Sequence, residues 1–233
     1  MSALAVVMFT LAFEDPVYLV FAIPLVLVFT LGAAINGGDV DDDLGAVGWS
    51  SQNMELAVPI GIAGGMVALF LGTLIMKFTP ENTASIVPDF SAAGFLATAS
   101  VIPPVAAIGA NIIAQFAVVA PSEEALARVL APYAGWAIFK SWPIAFIFGA
   151  IFWVGLHIPT LIAQGSGSGM YLVLLVLAGV TTGVYIITKN LLAAINTHGT
   201  FNVGVIVLGV GINAYAFYAI AAIIAVLAYA LCQ

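Results

Sequence analysis

The stretch that decides the fold is Pro121-Ser122-Glu123-Glu124-Ala125-Leu126-Ala127-Arg128. It places two carboxylates and a guanidinium in a chain of which only 6% of the residues are charged. Long apolar segments lie on both sides of it, so we expect the stretch to lie at or within membrane depth. A charge at that depth is costly and usually faces the interior of a helix bundle or a wet cavity. The stretch is therefore the first candidate for a functional site.

The composition excludes a soluble globular protein. Of the 233 residues, 64% are hydrophobic, and the mean hydropathy is +1.21, whereas soluble domains carry roughly 25% charged residues. The chain length suits about seven to eight membrane helices of ~20 residues each. We therefore predict an all-α polytopic membrane protein, a helix bundle with an intramembrane polar cavity, in which residues 1–233 form a single membrane domain.

Acidic residues outnumber basic ones by 11 to 4. Because no basic patch exists to hold phosphates, nucleic acid is not an expected partner. Four aspartates cluster within residues 39–43, and an acidic loop of this kind suits a high-salt habitat. We expect an integral protein of a prokaryotic cell membrane, with the lipid bilayer as a partner, and the sequence predicts no oligomeric state.

Apolar runs separated by polar breaks predict the individual helices. The Glu-Glu helix is expected to begin at Pro121 and to end near Phe139, before Lys140. An apolar run precedes it and contains Pro103-Pro104, which should kink or divide that run. Besides the Glu-Glu helix, the predicted apolar segments are residues 17–35, 55–76, 90–120 (the run with the two prolines), 142–163, 170–187, 191–210 and 214–231.

Two further patterns concern packing and orientation. Glycines at positions 61, 64, 65 and 72 predict close approach of a neighbouring helix, because small residues let helix backbones come together. Lys77, Lys140 and Lys189 can all be placed on one side of the membrane. The positive-inside rule then predicts that this side is cytoplasmic.

The depths of the polar residues permit a shared site. His157 and His198 are the only histidines in the chain. Helix rise places Glu123 and His157 each roughly 25 Å from Lys140. The same rise makes His198 shallower by roughly 10 Å, a difference that helix tilt can absorb.

Spacing within each helix indicates which side chains can meet. Glu124 and Arg128 are four residues apart and can pair on one helix face. Glu123 is turned about 100° away from Glu124 and can point elsewhere, for example at a histidine. His198 and Asn202 also lie four residues apart and project side by side.

Each of these patterns also has a purely structural interpretation. Glu124–Arg128 is favoured as structural, because a buried arginine needs a partner. His157, with Trp153 as an aromatic shelf one turn before it, can simply hydrogen-bond a backbone carbonyl, and His198 can join neighbouring helices. A site is favoured because a glutamate pair, two histidines and an asparagine occur together on three helices.

Three motifs in this order resemble the CPBP family of intramembrane proteases, which includes the CAAX prenyl endopeptidases and the bacteriocin-immunity (Abi) proteins. They are EExxxR at residues 123–128, His157 one helix later, and HxxxN at residues 198–202. The resemblance covers residues 120–210. The family's second motif usually reads FxxxH, and here Trp153 occupies the Phe position, which could narrow the substrate groove.

The resemblance implies an intramembrane endopeptidase that hydrolyses peptide bonds of a membrane-bound peptide or protein, prenylated or not. Carried over by position, Glu123 is the general base that activates water and His157 helps to hold it. His198 and Asn202 stabilise the oxyanion of the tetrahedral intermediate. The remaining motif residues brace the helix, orient the substrate or shape its groove: Glu124, Arg128 and Trp153.

Other functions stay open on the sequence alone. Glu123, His157 and His198 can supply a carboxylate and two imidazoles to zinc, although the resemblance favours a mechanism without a cofactor. Buried glutamate, arginine and histidine also mark ion and proton pathways in transporters. A third possibility is a non-catalytic membrane scaffold of the same fold.

Overall fold

The computed structural model describes residues 54–79, 109, 112–113, 115–163, 166–209 and 213–231. Within these ranges the chain consists of helices and short connections. The helices are α1 (Met54–Phe78), π1 (Gln115–Val119), α2 (Ala120–Glu124), π2 (Ala125–Leu130), α3 (Ala131–Phe139), α4 (Trp142–Ala163), α5 (Ser168–Thr188), α6 (Leu191–Gly209) and α7 (Ala214–Leu231). The stretch from π1 to α3, residues 115–139, is called the motif helix below.

Five of the described helices are long and apolar enough to cross a membrane, which confirms the all-α polytopic membrane class. The predicted span at residues 17–35 and most of the apolar run at 90–120 lie outside the described residues, and the single-domain assignment of residues 1–233 stays a prediction. The five segments are Glu55–Phe78, Trp142–Ile162, Ser168–Thr188, Leu191–Leu208 and Ala214–Leu231.

The motif helix begins earlier than predicted. Pro121 was expected to start it, but helical turns are already present at Gln115. Proline lacks the backbone N–H that an α-helical turn uses, and its ring crowds the preceding turn. In each π stretch the chain takes a wider turn, and Pro121 and Pro132 each follow such a stretch by two residues. The prolines are therefore accommodated inside the helix.

The other helix ends agree with the sequence to within two residues. α4 spans Trp142–Ala163, as predicted. The motif helix ends at Phe139 and α5 ends at Thr188. The residues that follow, Lys140 and Lys189, are in the left-handed backbone region, with φ values of 53° and 51°. A left-handed residue directly after a helix is a common way to stop it.

Helix α6 is the centre of the bundle. In its apolar window, 72% of the residues are buried, against 17% for α7. α6 packs tightly against α1 through glycines: a Cβ added at Gly61 would lie 2.5 Å from the carbonyl oxygen of Ala193, and one at Gly65 would lie 2.6 Å from the Cβ of Thr200. The predicted close approach at these glycines is confirmed, because a larger side chain would force the helices apart.

Pairs of contacts show how the helices run. Along α1, Gly61 faces Ala193 and Gly65 faces Thr200, so α1 and α6 are parallel. Along the same helix Gly64 lies beside Val184, and eight residues later Gly72 lies beside Val173. The partner numbers fall as the α1 numbers rise, so α1 and α5 are antiparallel.

The predicted grouping of the three lysines is wrong for Lys77. Lys140 and Lys189 do lie at one end of the bundle, where Phe146 near the start of α4 contacts Tyr185 near the end of α5, with ring centroids 6.0 Å apart. Lys77 ends α1, which runs antiparallel to α5, so it lies at the opposite end. The prediction failed because the relative direction of α1 and the motif helix is a property of the packing, which the sequence pattern does not determine.

Candidate active site

A cavity of about 680 Å³, counting its open mouth, lies among α1, α4, α5, α6 and the motif helix. Its polar wall carries Glu123, His157, His198 and Asn202. The rest of the wall is mostly apolar, with side chains from α1, α4, α5 and α6: Leu69, Met76, Leu161, Met170, Val173, Leu174, Leu177, Phe201 and Val205. The described helices therefore surround a cavity in which a few polar groups lie against a mostly apolar wall.

Three ring nitrogens surround one oxygen of Glu123. The indole Nε1–H of Trp153 donates a hydrogen bond to Glu123 Oε2 at 2.7 Å. The Nε2 atoms of His157 and His198 lie 3.5 Å and 3.8 Å from the same oxygen. The Glu123 side chain is 19% exposed, and it forms part of the cavity wall. Glu123 is thus held by neighbours on two other helices while it remains accessible.

His157 is fixed by its own helix. Its Nδ1 lies 2.9 Å from the backbone carbonyl oxygen of Trp153, one turn earlier. A carbonyl oxygen only accepts, so Nδ1 carries the hydrogen, and Nε2 faces Glu123. The Trp153 ring lies against the His157 ring, with centroids 4.3 Å apart, and is itself 1% exposed. The aromatic shelf that the sequence predicted is present, and it also donates to the glutamate.

Glu124 faces away from the cavity and joins two partners. Its Oε1 lies 2.8 Å from Nδ1 of His198, and its Oε2 lies 2.9 Å from Nε of Arg128. The Arg128 contact is an ion pair without hydrogen-bond geometry, and Arg128 Nη1 has no hydrogen-bond partner in the described part of the chain. The side chains of Glu124, Arg128 and His198 are at most 3% exposed. These three residues form a sealed layer behind Glu123, and of the three His198 also lines the cavity.

Asn202 is held from behind by a residue that the sequence reasoning missed. Its Nδ2 donates a hydrogen bond to Oε1 of Gln115 at 2.7 Å, and both residues are buried. Asn202 also lines the cavity one turn after His198. The signal for Gln115 was available, because it is a polar residue in an apolar run, about two helical turns before Glu123.

The structure brings all seven predicted site residues into one cluster. His198 lies at the depth of Glu123, because its Nε2 is 3.8 Å from Glu123 Oε2, so the predicted depth difference is not present. Glu123 points at the histidines and Glu124 pairs with Arg128, as the spacing indicated. The catalytic roles of these residues stay predictions.

The same residues bear on the zinc alternative. Among the described residues, no group of three or more histidine, cysteine, aspartate or glutamate side chains has an arrangement suited to a metal ion. The indole N–H of Trp153 already occupies the Glu123 oxygen that faces both histidines. The arrangement of these described side chains therefore does not favour a bound metal.

Comparison with known proteins gives a family match over part of the chain. Residues 105–204 match the family described as Type II CAAX prenyl endopeptidase Rce1-like. The match confirms the predicted resemblance, and the matched segment contains every residue of the cluster. No curated protein and no solved structure matches the chain. With its long apolar helices, the protein is of the CAAX-type intramembrane protease kind.

Proposed function

We propose that this protein is an intramembrane endopeptidase in which Glu123 activates a water molecule to attack a peptide bond. The observation that carries the proposal is the convergence of Trp153, His157 and His198 on a single oxygen of Glu123, at the wall of an open cavity. A carboxylate is a suitable general base when it is held within hydrogen-bond reach of the water. We propose that the reaction uses no cofactor.

In the first step, the water oxygen forms a bond to the carbonyl carbon of the substrate. The π electrons of the carbonyl move to its oxygen, and a water proton moves to Glu123. The C–N bond breaks in the second step, when the carbonyl re-forms and the proton passes to the leaving nitrogen. In this scheme His157 also accepts a hydrogen bond from the attacking water, because its Nε2 carries no hydrogen and lies beside Glu123 Oε2, at 3.5 Å.

We assign stabilisation of the oxyanion to His198 and Asn202. Both line the cavity on α6, one helical turn apart, beside Glu123. Asn202 has two N–H bonds on Nδ2 and uses one for Gln115, which leaves the other for the substrate. A donor placed in advance at the developing negative charge contributes about 3–4 kcal/mol to transition-state stabilisation.

We propose that the substrate is a membrane-associated peptide or protein carrying an apolar group, of which a prenyl chain is one example. The apolar walls formed by α5 and the second half of α6 support this, since they extend directly from the polar wall. An apolar group of the substrate can contact such walls without entering water. The prokaryotic cell membrane remains the expected setting.

The test is a peptide-cleavage assay on the purified protein. Quenched fluorescent peptides, prenylated and not, are compared for wild type and Glu123→Gln, with and without a chelator. We expect cleavage by wild type that is lost in the variant and unaffected by the chelator. Loss of cleavage on chelation would instead favour a metal site that includes Glu123, His157 and His198.

Two other results would contradict the proposal. Cleavage that survives in Glu123→Gln would exclude Glu123 as the base. Failure of wild type to cleave any peptide, together with ion flux through the protein in liposomes, would favour the transporter. The same failure without ion flux would favour the non-catalytic scaffold.

A further inference from the structure

The sealed layer behind Glu123 determines which nitrogen of His198 carries its hydrogen. His198 Nδ1 lies 2.8 Å from Glu124 Oε1, with side-chain exposures of 3% and 0%. Arg128 lies 2.9 Å from the other oxygen of the same carboxylate. A protonated Glu124 would leave the buried Arg128 charge without a counter-charge, which is strongly destabilising. Glu124 is therefore ionised and can only accept hydrogen bonds.

An acceptor at this distance needs a hydrogen on Nδ1. We propose that Glu124 is a positioning residue that holds His198 protonated at Nδ1, so that Nε2 is the nitrogen that gains and loses a proton in the cavity. Nε2 lies on the Glu123 side of the ring, 3.8 Å from Oε2. Carboxylates behind a histidine commonly fix its tautomer and ring direction in this way.

This assignment changes what His198 can do, and this part rests on the proposed function. A neutral His198 presents a lone pair to the cavity and cannot donate a hydrogen bond to an oxyanion. Only the imidazolium, protonated on both nitrogens, can do so. In the described part of the chain, ion pairs reach this ring from Glu123 and Glu124, and the edge-on ring of Trp153 packs against it, with centroids 5.4 Å apart. His157 lies across Glu123 on α4.

Nitrogen NMR on the wild-type protein in detergent micelles tests the assignment directly. The chain has only two histidines, so labelling their rings with ¹⁵N gives four ring nitrogen signals. At a pH where both rings are neutral, we expect His198 to show N–H at Nδ1 and a bare Nε2. The opposite tautomer would overturn the proposal, and this measurement needs no variant to fold.

Glu124→Gln tests whether the carboxylate is the cause. A glutamine can accept or donate, so we expect the tautomer of His198 to become mixed. His157 is the internal control, because its Nδ1 bonds to a backbone carbonyl that the substitution leaves in place. Unchanged His198 signals in a folded variant would contradict the role of Glu124.

The dependence of cleavage on pH tests whether the imidazolium form of His198 donates to the oxyanion. We expect wild-type activity to fall at alkaline pH as His198 Nε2 loses its proton. His198→Gln supplies a donor that does not titrate, so we expect about 10²-fold lower maximal activity without that alkaline fall. His157→Gln should keep the fall. An alkaline fall that persists in His198→Gln would refute the imidazolium role. A chain that cleaves nothing would refute the proposed function and leave the NMR result standing.

Discussion

Glu123 and Glu124 are neighbours in sequence but lie in different regions of the molecule. Glu123 faces an open cavity with a side chain that is 19% exposed, whereas Glu124 is 0% exposed and bound between Arg128 and His198. The two directions follow from the rotation of about 100° per residue in a helix. The cavity-facing region can carry chemistry, and the sealed region behind it can only hold that chemistry in place.

The largest expected effect comes from a substitution in the cavity-facing region alone. Glu123→Gln removes the base and should lower the cleavage rate about 10²–10⁴-fold, because general-base catalysis contributes about that much. The free energy of unfolding should change little, since the amide keeps the shape and can still accept from Trp153. A cleavage assay measures the rate, and thermal unfolding in micelles measures the stability. Glu55→Gln, at the start of α1, is the control, and equal loss there would point to a general effect of removing carboxylates.

Breaking the sealed region should affect stability instead. Arg128→Met leaves the buried Glu124 without its cation and should reduce the free energy of unfolding by about 3–5 kcal/mol. Lys140→Met is the matched control, because Lys140 is exposed and only covers the ring of Trp136, at 4.5 Å from its centroid. We expect a change below about 1 kcal/mol there. An equal change in the free energy of unfolding for the two variants would mean that the buried Glu124–Arg128 pair stabilises the protein no more than an exposed lysine does.

A third change sharpens the comparison within the cavity. Asn202→Ala removes one donor and should lower kcat about 10²–10³-fold with little change in KM, because the interaction is made in the transition state. Asn196→Ala on the same helix is the control, since Asn196 donates only to the carbonyl of Leu192 one turn earlier. A rise in KM with unchanged kcat would place Asn202 in ground-state binding instead.

The smallest expected effect concerns the residue that orients Glu123. Trp153→Phe keeps an aromatic ring but removes the N–H that donates to Glu123 at 2.7 Å. A hydrogen bond to a charged group contributes about 1.5–3 kcal/mol, so kcat should fall about tenfold to a hundredfold. Trp142→Phe, on the exposed side of the same helix, should have no effect. Full activity in Trp153→Phe would show that the histidines suffice to orient the base.

Much of this arrangement was predictable from the sequence. Apolar runs bounded by Lys140, the Gly- and Ser-rich residues 164–169 and Lys189 placed α4, α5 and α6 to within two residues. Spacing of four residues placed Arg128 beside Glu124, and the rotation between neighbours separated Glu123 from it. These predictions succeed because they depend on local helix geometry, which a single sequence determines.

The errors and omissions concern relations between helices. The end of the bundle at which Lys77 lies and the shared depth of His198 and Glu123 both depend on how the helices pack against one another. The hydrogen bonds from Gln115 to Asn202 and from Glu124 to His198 join residues 87 and 74 positions apart. The spacing of residues within one helix does not indicate contacts between residues so far apart in sequence, so these hydrogen bonds are seen only in the packed structure.

The two π stretches have a consequence for insertions and deletions. A π turn closes its hydrogen bond one residue later than an α turn, so π2 (Ala125–Leu130) amounts to an α-helical segment with one residue added. Deleting one residue there would turn the wide turns into α turns, and five α residues at about 100° each rotate the chain by nearly the same angle as six residues in the wider turns. With α3 still packed on α4, Glu123 would keep its direction towards the histidines. The same deletion in an α-helical part of the motif helix would instead rotate Glu123 by about 100° and dismantle the site.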